Sequence, residues 1–369
     1  MKNNIKVLHI CSYYLGTKLY QNLFNSLEKH DIEEDIYVFT DNQYKIENEY
    51  PSNVYISKCY NKMDRYIFHL KHGKVLKDIK NRLEIKQYDI IHAHSLFSNG
   101  YIAYKLNQYY GIPYIVAVRN TDINLFFNKI IYLRNIGVNI LKSAEKVVFI
   151  SESYKKYTID KYIPEGYKKE MENKSIVIPN GIDKFWLENK NHSILKSHKI
   201  NLIYAGRIEK NKNIETTIKA CELLIRQGYD ISYKVIGKIV DEEYKECINQ
   251  YSFIEYIPHC NKEQLINHYR SSDIFVMPSK YETFGLVYAE AMSQGLPIIY
   301  TRGQGFDRQF EEGMVGYSVQ HDSAEEIVEK IKLIINNYEI ISNNCVDKVD
   351  KFDWDNIVKK YVNIYLEYH

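Results

Sequence analysis

The chain has 369 residues, 45% of them hydrophobic and 26% charged, with a net charge of +2. That length exceeds one ordinary core and suits two domains of roughly 150–200 residues, while the near-neutral balance argues against nucleic acid as a bulk partner. The 35 tyrosines against two tryptophans read as coding bias, and six scattered cysteines without a CxxC read as core thiols of a reducing compartment.

In chain order, the opening MKNNIKVLHICSYY has too short an apolar run for a signal peptide and is expected to hold a first buried strand, IKVLHI (5–10). No window reaches 18 uninterrupted apolar residues. A cytoplasmic location is therefore expected, with peripheral contact to the inner face of a membrane left open. From Thr17 to Lys29, Leu19, Leu23, Phe24 and Leu27 fall on one helical face. Gly16, at the strand-to-helix turn, is either an ordinary turn glycine or one that lets backbone amides approach a phosphate. DIYVFT (35–40) is a second strand. The run 71–86 is a basic amphipathic helix with Val75, Leu76, Ile79 and Leu83 on its apolar side. Its basic face is either solvated or able to rest on anionic lipid.

YDIIHAHS (88–95) is a strand whose His92 and His94 share one face. His94, at the carboxyl end, can reach a ligand. A metal is not expected, because no third ligand lies in reach. After a helix at 99–109, YIVAVRNTD (114–122) is a strand that ends in Arg119, Asn120 and Asp122, where the crevice chemistry of an α/β domain belongs. The apolar run 125–144 is expected to be helical, as core or as a face for a lipid-like acceptor. VVFIS (147–151) closes a sheet of about six strands, SIVIPNGIDKFW (175–186) follows, and the polar, aperiodic stretch 188–199 reads as a linker.

The second half restarts the pattern. INLIYAGRIEKNKN (200–213) is a strand and a Gly206 turn carrying Arg207 and Lys212, before a helix at 215–228. Two cations there oppose the helix dipole, and a pyrophosphate between them would offset that cost. YKVIGKI (233–239) is a strand, and the stretch 254–273 holds a short strand and a helix that Asn261 caps. FVMPSKYETFGLVYAEAMSQGLPIIYT (275–301) is strand, loop, helix and strand, with Glu282 and Glu290 bracketing the loop-to-helix turn. The amides of a helix that starts after Gly285 suit a phosphate, and carboxylates suit sugar hydroxyls because they only accept hydrogen bonds. Read alone, the two acids are equally a loop charge and a solvated helix residue. A strand with a capped helix (321–337) and a final helix (354–368) complete the chain. Neither half begins with a GxGxxG turn, which argues against a dinucleotide-dependent dehydrogenase.

Three ordered motifs carry a resemblance. PSKYETFGLVYAEAMSQGLPII, with Glu282 and Glu290 eight residues apart, AGRIEKNKN, with Arg207 and Lys212, and IPNGID (178–183) together resemble the retaining glycosyltransferases of family 4. The resemblance implies an α/β GT-B fold of two Rossmann-like β/α/β domains that face each other across a cleft. It assigns 1–178 to an acceptor-binding domain, 179–199 to a linker, 200–352 to a nucleotide-sugar-binding domain and 353–369 to a helix returning to the first domain.

It further implies that Arg207 and Lys212 neutralise a donor diphosphate, that Glu290 accepts from ribose hydroxyls, and that Glu282 holds sugar hydroxyls. The Phe284, Gly285 and Leu286 amides would lie near the phosphates or sugar, Gly16 near the diphosphate, and Ile257 where the nucleobase meets backbone. No metal is implied, and the absence of a DxD triplet agrees. Many members carry a histidine at the end of the strand that here ends in Arg119. Either Asp122 or Arg119 takes over part of its role, or the correspondence is shifted by a residue or two, and His94 is a further candidate on the acceptor side. The implied reaction moves a sugar from a nucleotide-diphosphate donor, a UDP-sugar being favoured, to a hydroxyl of a glycan, lipid-linked or protein acceptor with retention. The alternatives are a GT-B epimerase or sugar-phosphate synthase, and a non-catalytic nucleotide-sugar-binding subunit.

Overall fold

The computed structural model describes residues 5–46, 49–195 and 198–368, so residues 196–197 of the expected linker lie outside the described residues. The chain divides into two compact units. One comprises Met1–Ile150, Lys155–Pro179 and Trp354–His369; the other comprises Ser151–Tyr154 and Asn180–Asp353.

The first unit is built on a parallel sheet of β1 (Ile5–Ile10), β2 (Ile32–Asp41), β3 (Val54–Tyr60), β4 (Ile90–Ala93), β5 (Tyr114–Val118), β6 (Lys146–Phe149) and β7 (Ser175–Val177), in the order β3-β2-β1-β4-β5-β6-β7. Seven strands stand where about six were expected. One unexpected member is the edge strand β3, whose run VYISKCY mixes buried and exposed positions, so its alternation is weak; nor does VVFIS close the sheet, since β7, only three residues long, pairs on the far side of β6. Central β1, β4 and β5 are apolar and almost wholly buried on both faces, as helices covering both sides of a parallel sheet demand.

The second unit repeats the plan with β8 (Ile200–Ala205), β9 (Ile231–Ile236), β10 (Ile254–Ile257), β11 (Ile274–Val276), β12 (Ile298–Thr301) and β13 (Gly316–Val319), in the order β10-β9-β8-β11-β12-β13. In each sheet the strand order reverses once, between β1 and β4 and between β8 and β11. Doubly wound sheets leave a crevice at such a point, outside the carboxyl ends of the strands. Gly16 and His94 follow β1 and β4; Arg207 and Glu282 follow β8 and β11.

The final helix, Trp354–Leu366, belongs to the first unit. It buries Trp354, Ile357, Val358, Tyr361, Ile364 and Tyr365 in one core with Leu23, Phe24 and Leu27 of the helix Lys18–Leu27. At roughly 1.5–3 kcal/mol per buried side chain, that face contributes about 10 kcal/mol of gross stabilisation. An isolated helix of this length would be marginal in water.

The run 125–144 is not one helix. A π-helical turn over Asp122–Phe127 and a 3-10 turn over Ile131–Leu133 precede the helix Arg134–Ser143. Its apolar content exceeds what one helical face can bury: Phe127, Leu133, Ile140 and Leu141 go into the core, while Leu125, Ile131 and Tyr132 stay exposed. Among the described residues, no helix is long and apolar enough to cross a membrane.

Candidate functional site

In the second unit the chain leaves β8 through Gly206, at φ +155°, and leaves β9 through Gly237, at φ +144°. A Cβ on Gly237 would sit 1.8 Å from the Gly206 carbonyl oxygen, so two strand ends meet backbone to backbone and open the region beyond them. Arg207 lies there with its side chain 71% exposed and a 3.3 Å contact to Glu209. Lys212 is more enclosed, and its Nζ stands 2.6 Å from Glu282 Oε2. The two residues lie 70 positions apart in sequence, and the switch point between β8 and β11 is what joins them.

The loop bearing Glu282 is fixed from two sides. Its amide donates to Gln304 Oε1 (3.0 Å), and its carbonyl accepts from the Gly305 amide (2.7 Å). A Cβ on Gly305 would fall 1.6 Å from the Thr283 carbonyl oxygen, so this approach excludes every other residue. The other carboxylate oxygen of Glu282 accepts from the Thr283 amide at 3.0 Å and the Phe284 amide at 3.4 Å. Phe284 anchors the loop, buried against Phe306 and Phe352. Gly285 (φ +73°) then turns the chain into the helix Leu286–Ser293, whose first amides point beyond the strand end.

Glu290 sits on that helix. Burial, and secondarily the nearby Asp183 carboxylate, push its carboxyl up from 4.5 to about 7. Among the described residues its carboxylate accepts no hydrogen bond, although its backbone carbonyl accepts one from Ser293. The side chain is half-buried and not wholly enclosed, so a hydroxyl donor can reach the carboxylate. Ile257, the last residue of β10, has its carbonyl oxygen accepting from the Gly237 amide (2.9 Å).

In the first unit Gly16 closes a 3-10 turn, Tyr14–Gly16, with no atom within 4 Å of where a Cβ would lie. Packing therefore does not require glycine there. His94 is wholly buried. Its Nε2 is 3.1 Å from His9 Nδ1, and its ring lies 4.0 Å from that of His92, tilted by 30°. Burial, then the neighbouring His92, His9 and Arg119, hold it well below the ordinary imidazole range. His9 Nε2 meets Glu34 at 2.9 Å, and His92 Nδ1 meets the Tyr365 hydroxyl at 2.6 Å. The expectation that no third nitrogen lies in reach is corrected here. His9, from β1, completes a set of three imidazoles whose nearest ring nitrogens lie within 4.8 Å of one another, because parallel pairing sets His9 beside His92 in register.

Arg119 directs Nε at the His94 carbonyl (3.3 Å) and reaches Tyr361 of the final helix. Asp122 is buried. Its carboxylate accepts from the amides of Leu96 (2.9 Å), Phe97 (3.0 Å) and Arg119 (2.8 Å), and burial raises its carboxyl to about 6 against those bonds. It thus ties the loop after β4 to the loop after β5, and its lone pairs are largely taken.

Asp183, Gln304 and Gly305 had escaped the sequence reading. Asp183 caps the helix Lys184–Glu188 and pairs with Lys262 at 2.9 Å. The glycine pair in TRGQG was the visible signal for the turn that holds Glu282.

Two doubly wound parallel sheets, polar groups gathered at both switch points, and a last helix returned to the first unit define a GT-B enzyme of sugar transfer. The Glycosyltransferase Family 4 model matches residues 18–184, and the Glycosyl transferases group 1 model matches residues 187–351. The chain is similar, at 28% identity over 375 residues and 98% of each sequence, to the Methanocaldococcus jannaschii protein described as uncharacterized glycosyltransferase MJ1178. Its fold is shared with the sucrose-phosphate synthase of Thermosynechococcus elongatus (TM-score 0.75, 17% identity, 99% of each chain). It is shared as well with Anabaena Alr3699/HepE, solved in complex with UDP (TM-score 0.69, 16% identity, 99% of this chain and 100% of that one). The chain belongs to glycosyltransferase family 4, with the group 1 domain as its second half.

Proposed function

We propose that this chain is a retaining, metal-independent glycosyltransferase of the cytoplasm that moves a sugar from a UDP-sugar to a hydroxyl of a glycan, lipid-linked or protein acceptor. The observation that carries this reading is the Lys212–Glu282 ion pair at the carboxyl ends of β8 and β11, together with Glu290 on the helix that follows, a half-buried acid whose carboxylate accepts no hydrogen bond among the described residues. A diphosphate entering there takes Lys212 and Arg207 as counter-charges. Glu282, released from Lys212, accepts from sugar hydroxyls, and Glu290 accepts from the ribose. The donor thus offers hydroxyls to both acids and anionic oxygens to both cations, in exchange for the Lys212–Glu282 and Arg207–Glu209 contacts. The similarity to a UDP-bound relative supports uridine as the base.

As the sugar–phosphate bond breaks, charge grows on the leaving oxygens, where fixed cations and helix amides act most strongly. Retention is assigned to front-face attack, the leaving phosphate assisting removal of the acceptor proton, with catalysis resting on orientation and charge. Calorimetry of the purified chain with UDP-, GDP-, ADP- and dTDP-sugars tests the donor site. Saturable UDP-sugar binding that Arg207→Ala and Glu290→Ala both abolish is the expected result. Binding undisturbed by both variants would remove the assignment. A sugar phosphate that accepts the donor sugar, where free glycans do not, would select the synthase reading instead.

A further inference from the structure

We propose that Gln304 is a further donor-binding residue, its side-chain amide giving a hydrogen bond to a sugar hydroxyl that Glu282 also holds, and that Tyr154 positions it. The assignment rests on the glycosyltransferase reading and adds a residue to its sugar subsite. Gln304 Oε1 accepts twice, from the Glu282 amide at 3.0 Å and from the Tyr154 hydroxyl at 3.3 Å. A carbonyl oxygen has two lone pairs, and both are spent. Two donors on one atom also decide which end of the carboxamide is oxygen, a choice that the hydrogen-bond network makes. Nε2 therefore stands at the other end, and among the described residues it donates to nothing. Gln304 is half-buried, so a ligand atom can reach that group.

Tyr154 comes from far away in the chain. Ser151–Tyr154 lies in the first half of the sequence and belongs to the second unit. Two adjacent side chains of this segment fasten the turn after β12. Ser153 Oγ donates to the Asp307 carbonyl oxygen at 3.2 Å, and the buried Tyr154 ring sets its hydroxyl on Gln304. Within the turn, the Asp307 carboxylate accepts from the Gly303 amide (2.8 Å), and the Asp307 amide donates to the Gln304 carbonyl (3.0 Å). Gln304 is thus held in backbone and in side chain before any ligand arrives, as a precise binding group requires.

Holding the Glu282 loop does not account for a carboxamide. The Gly305 amide already ties the Glu282 carbonyl at 2.7 Å, and a carboxylate or a hydroxyl would accept from the Glu282 amide as well. What glutamine adds is a pair of N–H donors that the fold does not use. A sugar hydroxyl is donor and acceptor at once. It can give its proton to the ionised Glu282 carboxylate and take one from Gln304. A carboxylate alone reads only the first half of that chemistry. The two side chains together read a hydroxyl, and a sugar carrying hydrogen in its place leaves both without a partner.

The test is calorimetry of the full chain with UDP, UDP-glucose and UDP-galactose. Each variant is read as the ratio of its Kd for UDP to its Kd for the UDP-sugar, which isolates what the sugar contributes. Gln304→Glu keeps both bonds that Oε1 accepts and removes only the N–H donors, whereas Gln304→Met removes both kinds. The ratio should fall about tenfold in each, and less in Tyr154→Phe. On the Gln304→Glu background Tyr154→Phe should lower it no further, as expected of a residue that acts through Gln304. The charge that Gln304→Glu introduces repels UDP at least as strongly as UDP-sugar, the free diphosphate being the more anionic, and so cannot lower the ratio. Circular dichroism shows which variants fold; where Gln304→Met does not, Gln304→Glu decides alone. A parental ratio in Gln304→Glu would reduce Gln304 to a prop for the loop and overturn the assignment, leaving the donor site standing. A parental ratio in Tyr154→Phe, or an equal fall on both backgrounds, would overturn the part given to Tyr154. No binding of any of the three nucleotides by the parent would remove the donor site itself, and this subsite with it.

Discussion

Replacing Glu290 by Gln separates what this acid does for the fold from what it does for a ligand. Its carboxyl is raised from 4.5 to about 7, chiefly by burial. Below about pH 4.5 the group is protonated in both folded and unfolded chains and the two states bind protons equally. As pH rises from there, the unfolded chain ionises first, so stability falls until the folded carboxyl also ionises near pH 7. A shift of this size corresponds to about 3 kcal/mol, present in the native protein at pH 8 as a penalty and absent in the Glu290→Gln variant.

Urea unfolding at pH 5 and at pH 8 measures it. The two tryptophans separate the units, since Trp186 lies in the second and Trp354 in the first. On a Trp354→Phe background, fluorescence therefore reports the unit that contains Glu290. The variant should exceed the parent in stability at pH 8, and the difference should shrink to well under half at pH 5. Donor binding should move the other way. A ribose hydroxyl needs the ionised acid, so the parent's Kd for UDP should weaken about tenfold per pH unit below 7, while the variant binds weakly at every pH. A stability difference independent of pH would refute the burial argument. A variant that binds UDP as the parent does would refute the ligand role.

Lys212→Met should cut kcat/KM by about two to three orders of magnitude with an unchanged circular dichroism spectrum; steady-state kinetics with a UDP-sugar and a thermal scan decide it. Asp122→Ala strands the amides of Leu96, Phe97 and Arg119, and should cost the first unit several kcal/mol, roughly 2–4, read as a fall in its unfolding midpoint. Tyr365→Phe removes one bond to His92 and should cost only about 1–2 kcal/mol by the same measurement. Dialysis against a chelator, followed by assay in metal-free buffer, should leave the transfer rate unchanged; a rate restored only by added metal would contradict the proposed mechanism.

What the sequence made legible follows from the range of the forces involved. Asn261 was read as a cap, and the helix Lys262–Arg270 does begin there, with Asn261 accepting from the Gln264 amide at 2.9 Å, because capping is decided within four residues. The buried strands were legible because parallel sheets covered on both faces need continuous apolar runs. The apolar run 125–144 misled, since composition reports that residues are apolar and not which of them the core has room for. His9 escaped notice because its partner His94 lies 85 residues away and only the register of β1 on β4 joins them. The Gln304–Gly305 turn escaped because its purpose, holding the Glu282 loop, is a backbone approach that no side-chain pattern announces.

The two units differ in how their polar strand-end groups are satisfied, and that difference locates the chemistry. In the first unit Asp122 spends its carboxylate on three amides, Arg119 reaches the His94 carbonyl, and His94 meets His9. These groups hold the crevice in shape and have little capacity left for a substrate. In the second unit Lys212 and Glu282 satisfy one another at 2.6 Å, an exchange that a diphosphate and a sugar can reverse at little cost, and the half-buried Glu290 carboxylate accepts no hydrogen bond among the described residues. Glu290, raised to about 7 chiefly by burial, is one cost the fold carries, and the Lys212–Glu282 pair is a contact a ligand can exchange. The proposed donor would supply hydroxyls to Glu290 and oxygens to Lys212, which offsets both. On the proposed reading the donor site belongs to the second unit, where Lys212 and Glu282 can exchange partners, and the first unit's satisfied strand-end groups leave acceptor contacts to other residues.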